Sequence, residues 1–567
     1  MTERGVLFSS LLFSVLLITS CEKDQLSAPG VVPEEAEIEQ GVSDPLLNEG
    51  MIQLGKQLEN PYSVENMRLA LRELQEEGVL KSGTVSETDI QTTHLYVRFL
   101  PADDEEMDII KSDTTLVFYD HPLDFEIVPG GIYYHDPSLP DTLYTWQYTV
   151  VPAGFVLPAV KFEILSELFL MDEVDDDNLK SGGLGAEYWE RLEDKALEIT
   201  GNLNSEYDGV TLKASKWRPS GTLTVWDDVL KKQIPLEGVK VRARRWFTTH
   251  RGISRRDGSF SCDGQFRRDA NYSIEWDRAE WEIQERLLNV SILGVAAWVQ
   301  VYFNGPKKRG AWNLVIGSAT NRDNTMRYAH MHRALMRYCY LNRDGLSSPD
   351  VRSFFKGKLR IGYSSQAKTS SAIPYRNIAK QPHVYIYGRT SKGDWESTNN
   401  VFAVTIHELA HVAHYKLIGR YSFSELWLPT SSRIIPESWA AAVEWRLTNI
   451  EYNELGSLDR LNNLTARNYE HMSINDGAGY QEWSSSRSSA YYTPLFIDLF
   501  DTYNQGSSYS TTRPNDVISG YSFRVLEQDV LRRTFGFSSL KERLKLFKPN
   551  SISDAQVDEF VDFYSEF

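Results

Sequence analysis

Three side chains with acid, base or metal-binding chemistry stand together in one short stretch of the chain. Residues 401–416 read VFAVTIHELAHVAHYK, which puts His407 and His411 four positions apart with Glu408 between them. Four residues turn an α-helix by a net of only about 40°, so the two imidazoles share one helix face. Two imidazoles placed in this way can hold a metal ion, and a neighbouring carboxylate can take a proton from water. The spacing therefore predicts a metal centre.

The residues around this pattern must form a helix if the imidazoles are to converge. Apolar side chains recur at helical spacing on both sides of the motif, at Val401, Val404, Ile406, Leu409, Ala410 and Ala413. Ser397 or Thr398 is available as the N-cap. We therefore predict a helix over 401–416.

A third ligand is needed, because catalytic zinc sites take three protein ligands and leave one position for water. His414 lies seven residues after His407, about 10 Å along the helix axis, and cannot reach the same ion. Glu437 is the better candidate, since it follows a proline suited to a first helical turn and precedes an apolar run that predicts a second helix. Glu444 lies on the same face of that helix and is the competing ligand.

The motif at His407, Glu408 and His411, followed by Glu437-Ser438-Trp439-Ala440, resembles the gluzincin zinc metallopeptidases. The 25 residues between His411 and Glu437 are similar to the spacing in the enhancin-like, mucin-degrading branch. This resemblance implies Zn²⁺ bound by His407, His411 and Glu437, with Glu408 as general base in peptide-bond hydrolysis. Ala441 stands where many gluzincins carry an acid that supports the first histidine, and Glu444 is the alternative support.

The carbonyl oxygen gains negative charge in the transition state of peptide hydrolysis, and a further hydrogen-bond donor is needed to stabilise it. Tyr491 or Tyr492 is the type of residue that provides one, while the alternative for both is aromatic packing.

The composition limits the classes of protein to be considered. A chain of 567 residues is too long for a single core and predicts several domains. Its 78 acidic residues outnumber its 60 basic ones and give a net charge of -18, which opposes nucleic-acid binding. The three cysteines do not form a disulfide framework or a cysteine-rich metal site.

The N-terminus predicts export. An apolar run over residues 6–18 is too short to span a membrane and leads into Thr19-Ser20-Cys21. This arrangement resembles the lipobox of bacterial lipoproteins, and the charged residues after Cys21 resemble surface-exported lipoproteins of the Bacteroidota. The resemblance implies a signal peptide over 1–20, a lipid on Cys21 that holds the protein at an outer membrane or cell surface, and a flexible tether over 21–48. An ordinary secretory signal is the alternative.

The regions that follow the tether precede the motif, and the sequence leaves the role of residues 49–171 open. Residues 49–171 read as mixed α/β, and residues 172–215 read as an acidic linker with a short helix. Strand-like segments with Pro-Leu-Glu-Gly-Val at 235–239 and Asp-Gly-Ser-Phe at 257–260 resemble the carboxypeptidase regulatory-like domain, which implies a transthyretin-like β-sandwich over 216–290. A basic run over 240–256 indicates either a polyanion site or, as we favour, the solvated face of a strand pair.

Residues 291–567 complete the prediction as a mostly helical, zincin-like metallopeptidase domain, so the fold class is multidomain α+β. His330 and His332 are expected to be packing or surface residues rather than metal ligands, because positions two apart face different sides of a helix. Strands over 358–363 and 383–387 precede the motif, and the peptidase resemblance implies that an edge strand there pairs with substrate.

The function expected from these features is hydrolysis of extracellular proteins, peptides or glycoproteins by a lipid-anchored enzyme. The alternative is a non-catalytic surface lipoprotein that binds a glycan or host protein and keeps a vestigial or structural zinc site. The large share of the chain before residue 310 favours this second class.

Overall fold

A computed structural model describes residues 50–79, 85–140, 143–170, 186–203, 215–292, 295–349, 358–368, 370–372, 381–390, 392–427, 432–455, 493–502 and 517–565. Within these ranges the fold is mixed α/β, with strands in several sheets and a helical C-terminal region. This agrees with the α+β class at the level of element content.

The described residues of the N-terminal region form a three-stranded antiparallel sheet, a two-stranded sheet, three α-helices and a 3₁₀-helical turn over Glu87–Asp89. Its elements are β1 (Leu54–Gln57), α1 (Val64–Glu76), β2 (His94–Phe99), α2 (Asp104–Lys111), β3 (Phe125–Ile127), β4 (Gln147–Pro152), β5 (Phe162–Leu168) and α3 (Ala186–Ile199). The Ser63 side chain caps α1 by accepting a hydrogen bond from the Asn66 backbone N–H. Leu192 of α3 shares a buried core with Leu71 of α1. The short helix expected inside a linker therefore packs against the N-terminal region.

Two four-stranded sheets form the next region and share a core. The first contains β6 (Ser220–Asp227), β7 (Lys232–Pro235), β10 (Ser259–Ser261) and β15 (Trp312–Ile316), and the second contains β8 (Lys240–Arg245), β9 (Thr248–Ile253), β11 (Ala270–Glu275) and β14 (Tyr302–Lys308). The ring of Tyr272 in the second sheet lies 5.2 Å from that of Trp312 in the first. Gly258 has a φ of 78° in the turn before β10, a conformation that glycine adopts readily.

The basic run over 240–256 is partly covered by the N-terminal region, which corrects the prediction of a solvated strand face. The guanidinium of Arg242 donates to the Phe118 carbonyl oxygen at 2.9 Å, and that of Arg244 donates to the Leu123 carbonyl oxygen at 3.1 Å. Arg242 also pairs with Glu275 at 2.6 Å. These cations hold the N-terminal region against the second sheet.

A mixed five-stranded sheet lies before the motif helix in the chain. Its strand order is β13 (Val295–Gln300), β12 (Trp281–Ile292), β16 (Leu359–Ala367), β18 (Val384–Arg389) and β17 (Ser371–Ala372). The predicted boundary at residue 290 falls inside β12, and β14 and β15, which follow, return to the two earlier sheets. β18 precedes the motif helix but pairs with β16 on one side and β17 on the other, so the expectation of an edge strand there is wrong.

Three long helices follow or flank this sheet. They are α4 (Asn324–Cys339), α5 (Thr398–Trp427) and α6 (Ile434–Glu454). Gly419, with a φ of 79°, divides α5 into two helical segments. The ring of Phe402 in α5 lies 6.2 Å from that of Tyr452 in α6, which places these two helices side by side.

His330 and His332 of α4 are packing residues, which is one of the two roles predicted for them. Their Nε2 atoms lie 2.9 Å and 2.8 Å from the carbonyl oxygens of Trp226 and Glu237. Both side chains are buried.

Short helical segments complete the described chain at α7 (Leu495–Asp498), α8 (Phe523–Val525), α9 (Phe537–Phe547) and α10 (Asp554–Ser565), with π- and 3₁₀-helical turns over Leu526–Val530 and Leu531–Arg533. Among the described residues, no helix combines the length and apolar character needed to cross a membrane.

Candidate metal centre

The first residue of the motif helix forms two hydrogen bonds with the end of the preceding sheet region. The Thr398 backbone N–H donates to the Asp228 carboxylate at 3.2 Å, and the Asp228 N–H donates to the Thr398 hydroxyl at 2.8 Å. This reciprocal pair satisfies a donor at the helix start. The predicted N-cap at Ser397 or Thr398 does not include this contact, because Asp228 lies 170 residues away along the chain.

Two helices bring three predicted ligands to one point. Glu437 Oε2 lies 3.3 Å from His407 Nε2 and 3.3 Å from His411 Nε2. One donor atom from each residue falls within 4.8 Å of the others, and all three residues are buried. A carboxylate on α6 thus faces the imidazole pair on α5.

Glu444 contacts the opposite side of one imidazole. Its Oε2 lies 3.0 Å from His407 Nδ1, and its side chain is also buried. An imidazole that carries its proton on Nδ1 would donate to this carboxylate, and its Nε2 would then be available to a metal ion on the side of Glu437. Of the two candidate glutamates, Glu437 therefore faces Nε2 of His407 and Glu444 faces Nδ1.

The imidazoles also affect the ionisation of Glu437. Burial opposes the charged form, but attraction by His411 and His407 outweighs burial and holds the pKa of Glu437 below its ordinary value. The carboxylate is therefore ionised at neutral pH, which is the form that binds a cation.

Glu408 and His414 occupy different positions on the motif helix. Glu408 follows His407 directly and has no solvent exposure. His414 is buried beside Phe423, with ring centroids 5.6 Å apart, and does not belong to the three-residue cluster. Burial, with a smaller contribution from His411, lowers the pKa of His414 to about 3. The exclusion of His414 from the ligand set agrees with this arrangement.

Three predicted site residues cannot be placed in the site. Tyr491, Tyr492 and Cys21 lie outside the residues that the structure describes. The next residue after the two tyrosines, Thr493, has its backbone N–H 3.0 Å from the Ser438 hydroxyl.

A buried polar network behind the site was not found from the sequence. Asp227, at the end of β6, accepts a 2.7 Å hydrogen bond from the hydroxyl of Tyr452 in α6 and lies 3.5 Å from the guanidinium of Arg333 in α4. Arg333 also pairs with Glu451 of α6 at 2.7 Å. These contacts connect the end of β6 to the helix that carries Glu437. The consecutive acids Asp227-Asp228 at the end of a predicted strand were the available signal.

Comparison of the chain with protein-family models, with characterised proteins and with solved structures gave no match.

Proposed function

We propose that this chain is an exported, lipid-anchored zinc metallopeptidase that hydrolyses peptide bonds in extracellular proteins or glycoproteins. The observation that carries the proposal is the convergence of His407, His411 and Glu437 from two helices. Glu444 supports His407 from behind, as the second layer of a metal site requires.

Two of the three donor–donor separations match those of a tetrahedral zinc site, which supports the proposal. Two ligand atoms that each lie 2.0–2.1 Å from a tetrahedral ion are about 3.4 Å apart. Glu437 Oε2 lies 3.3 Å from each imidazole Nε2, close to that separation. Two nitrogen ligands with one carboxylate are typical of catalytic zinc sites, which keep a fourth position for water or substrate.

The proposed reaction divides its tasks among residues of this chain. His407, His411 and Glu437 would hold the zinc ion, which would supply a Lewis acid for the peptide carbonyl and for the attacking water. Glu408 accepts a proton from the attacking water as the hydroxyl oxygen bonds to the carbonyl carbon. When the C–N bond breaks, Glu408 returns that proton to the amine nitrogen. Tyr491 or Tyr492 is proposed as the donor to the oxyanion.

Replacement of Glu408 by glutamine tests the catalytic part of the proposal. The variant is expected to bind one zinc per chain, as the wild type does, and to lose about 100-fold or more of its hydrolysis of a mixed peptide library. Glu425→Gln is the matched control, since Glu425 lies on the same helix but is exposed. Full hydrolysis by Glu408→Gln would overturn the assigned role. Zinc binding without hydrolysis by the wild type would instead support the non-catalytic surface protein.

The proposed anchor is tested separately. Cys21→Ser should move the protein from the membrane fraction to the soluble fraction of the producing bacterium, and an unchanged distribution would contradict lipidation at this residue.

A further inference from the structure

Arg327 of α4 is a buried cation without a hydrogen-bond acceptor among the described residues. Its side chain has 0% exposure, and its Nε, Nη1 and Nη2 atoms all lack such a partner. Two other buried arginines of the same helix differ, because Arg333 and Arg337 both pair with Glu451. Buried guanidinium groups in proteins ordinarily donate to a carboxylate or another acceptor, as those of Arg333 and Arg337 do.

An aromatic ring lies against Arg327 but leaves its N–H groups unsatisfied. The centre of the guanidinium is 5.3 Å from the ring centroid of Trp395, just before α5. The guanidinium of Arg389 lies closer to the same ring, at 3.8 Å, and donates to the Gly393 carbonyl oxygen at 2.8 Å. A cation–π contact attracts charge but accepts no conventional hydrogen bond. Two cations therefore share one ring, and only Arg389 has an oxygen partner of its own.

Tyr363 and two nearby carboxylates attract Arg327, but none of them accepts a hydrogen bond from it, and both carboxylates have other donors. The Asp228 carboxylate accepts from Arg322 at 2.9 Å, from Trp226 Nε1 at 3.2 Å and from the Thr398 N–H at 3.2 Å.

Glu396 accepts a hydrogen bond from the Asn400 side chain. Burial lowers the pKa of Arg327, but an arginine keeps its proton in a protein, so the positive charge remains. The donors of Arg327 thus require an acceptor other than these two acids.

We propose that Arg327 binds a small monovalent anion, a halide or a short carboxylate, in an internal site beside Trp395 at the start of the motif helix. The nearby carboxylates disfavour a more highly charged anion, and the full burial of Arg327 disfavours a large one. The anion connects α4 to the segment that enters α5. It stabilises the fold without acting as a metal ligand, so this proposal does not depend on the proposed peptidase activity.

Thermal unfolding of the purified protein at fixed ionic strength tests the site. The reference buffer contains gluconate, an anion that is too large for an internal site. In the test buffers, chloride, bromide or formate replaces gluconate at the same concentration. With 200 mM of a bound anion the midpoint should rise by about 1–2 °C. A response to chloride and bromide alone identifies a halide site, and a response to formate identifies a carboxylate site.

Arg327→Met should abolish this response, because methionine keeps apolar bulk and removes the charge. Arg446→Met is the control, since Arg446 already pairs with Asp344 at 2.7 Å and should keep the wild-type response. An absent response in the wild type, or an equal one in Arg327→Met, would overturn the proposal.

Anomalous diffraction from bromide-soaked crystals of the wild type provides a second measurement that needs no variant. A bromide peak at hydrogen-bonding distance from the Arg327 guanidinium is expected. A peak absent from that position, with water there instead, would show that solvent alone satisfies the side chain and would refute the anion site.

Discussion

Removal of the Glu444 side chain should weaken zinc binding even though Glu444 is not an expected ligand. Its carboxylate lies 3.0 Å from His407 Nδ1, while His407 Nε2 faces Glu437 at 3.3 Å. Without this acceptor, the imidazole is free to exchange tautomers and to rotate away from the ion. Loss of such a supporting contact typically costs about 10–100-fold in metal affinity. This corresponds to about 1.4–2.7 kcal/mol for Glu444→Ala.

Competition with a chromophoric chelator measures this effect as a zinc dissociation constant. Glu444→Gln should fall between the wild type and Glu444→Ala, because its amide oxygen can still accept from Nδ1–H. Glu454→Ala is the control, as Glu454 lies on the same helix but pairs with Arg337. Equal zinc affinity in Glu444→Ala and the wild type would refute the supporting role. An equal loss in Glu454→Ala would show a general effect on α6 instead.

Three further predictions address the ligand, the buried network and pH. Glu437→Ala should lose stoichiometric zinc in metal analysis, and retained zinc would exclude Glu437 as a ligand. Tyr452→Phe removes the 2.7 Å hydrogen bond to Asp227 and should lower the free energy of unfolding in urea by about 1–3 kcal/mol; no loss would contradict a stabilising role. Burial, with repulsion by Arg333, lowers the pKa of His330 to about 3, so protonation near its ordinary pKa favours the unfolded chain. The free energy of unfolding should therefore fall as pH drops from about 6.5 toward 3, and this slope should be smaller in His330→Gln; equal slopes would contradict the assignment.

The features of the candidate site that could be predicted from sequence are those set by local helical geometry. Four-residue spacing brings His407 and His411 to one face, and seven-residue spacing puts Glu437 and Glu444 on one face of the next helix. These periodicities do not show which glutamate faces which nitrogen. That distinction depends on how α5 and α6 pack, and the structure places Glu437 toward both Nε2 atoms and Glu444 toward Nδ1 of His407.

The features missed by sequence reasoning depend on contacts between distant segments. Nothing near Thr398 indicates that Asp228 caps it, since the pairing exists only when β6 ends beside α5. The basic run over 240–256 alternates as a solvated strand would, but the N-terminal region covers Arg242 and Arg244. Strand pairing also depends on distant segments. For this reason β14 and β15, which follow the predicted domain boundary at residue 290, pair with strands that precede it.

X-ray diffraction from the protein crystallised with zinc, collected across the zinc absorption edge, is the decisive test of the proposed metal site. We expect one anomalous peak per chain, with His407 Nε2, His411 Nε2 and a Glu437 carboxylate oxygen each about 2.0–2.2 Å from the ion. A protein that binds no zinc, or a peak that lies away from these three atoms, would refute the proposed site.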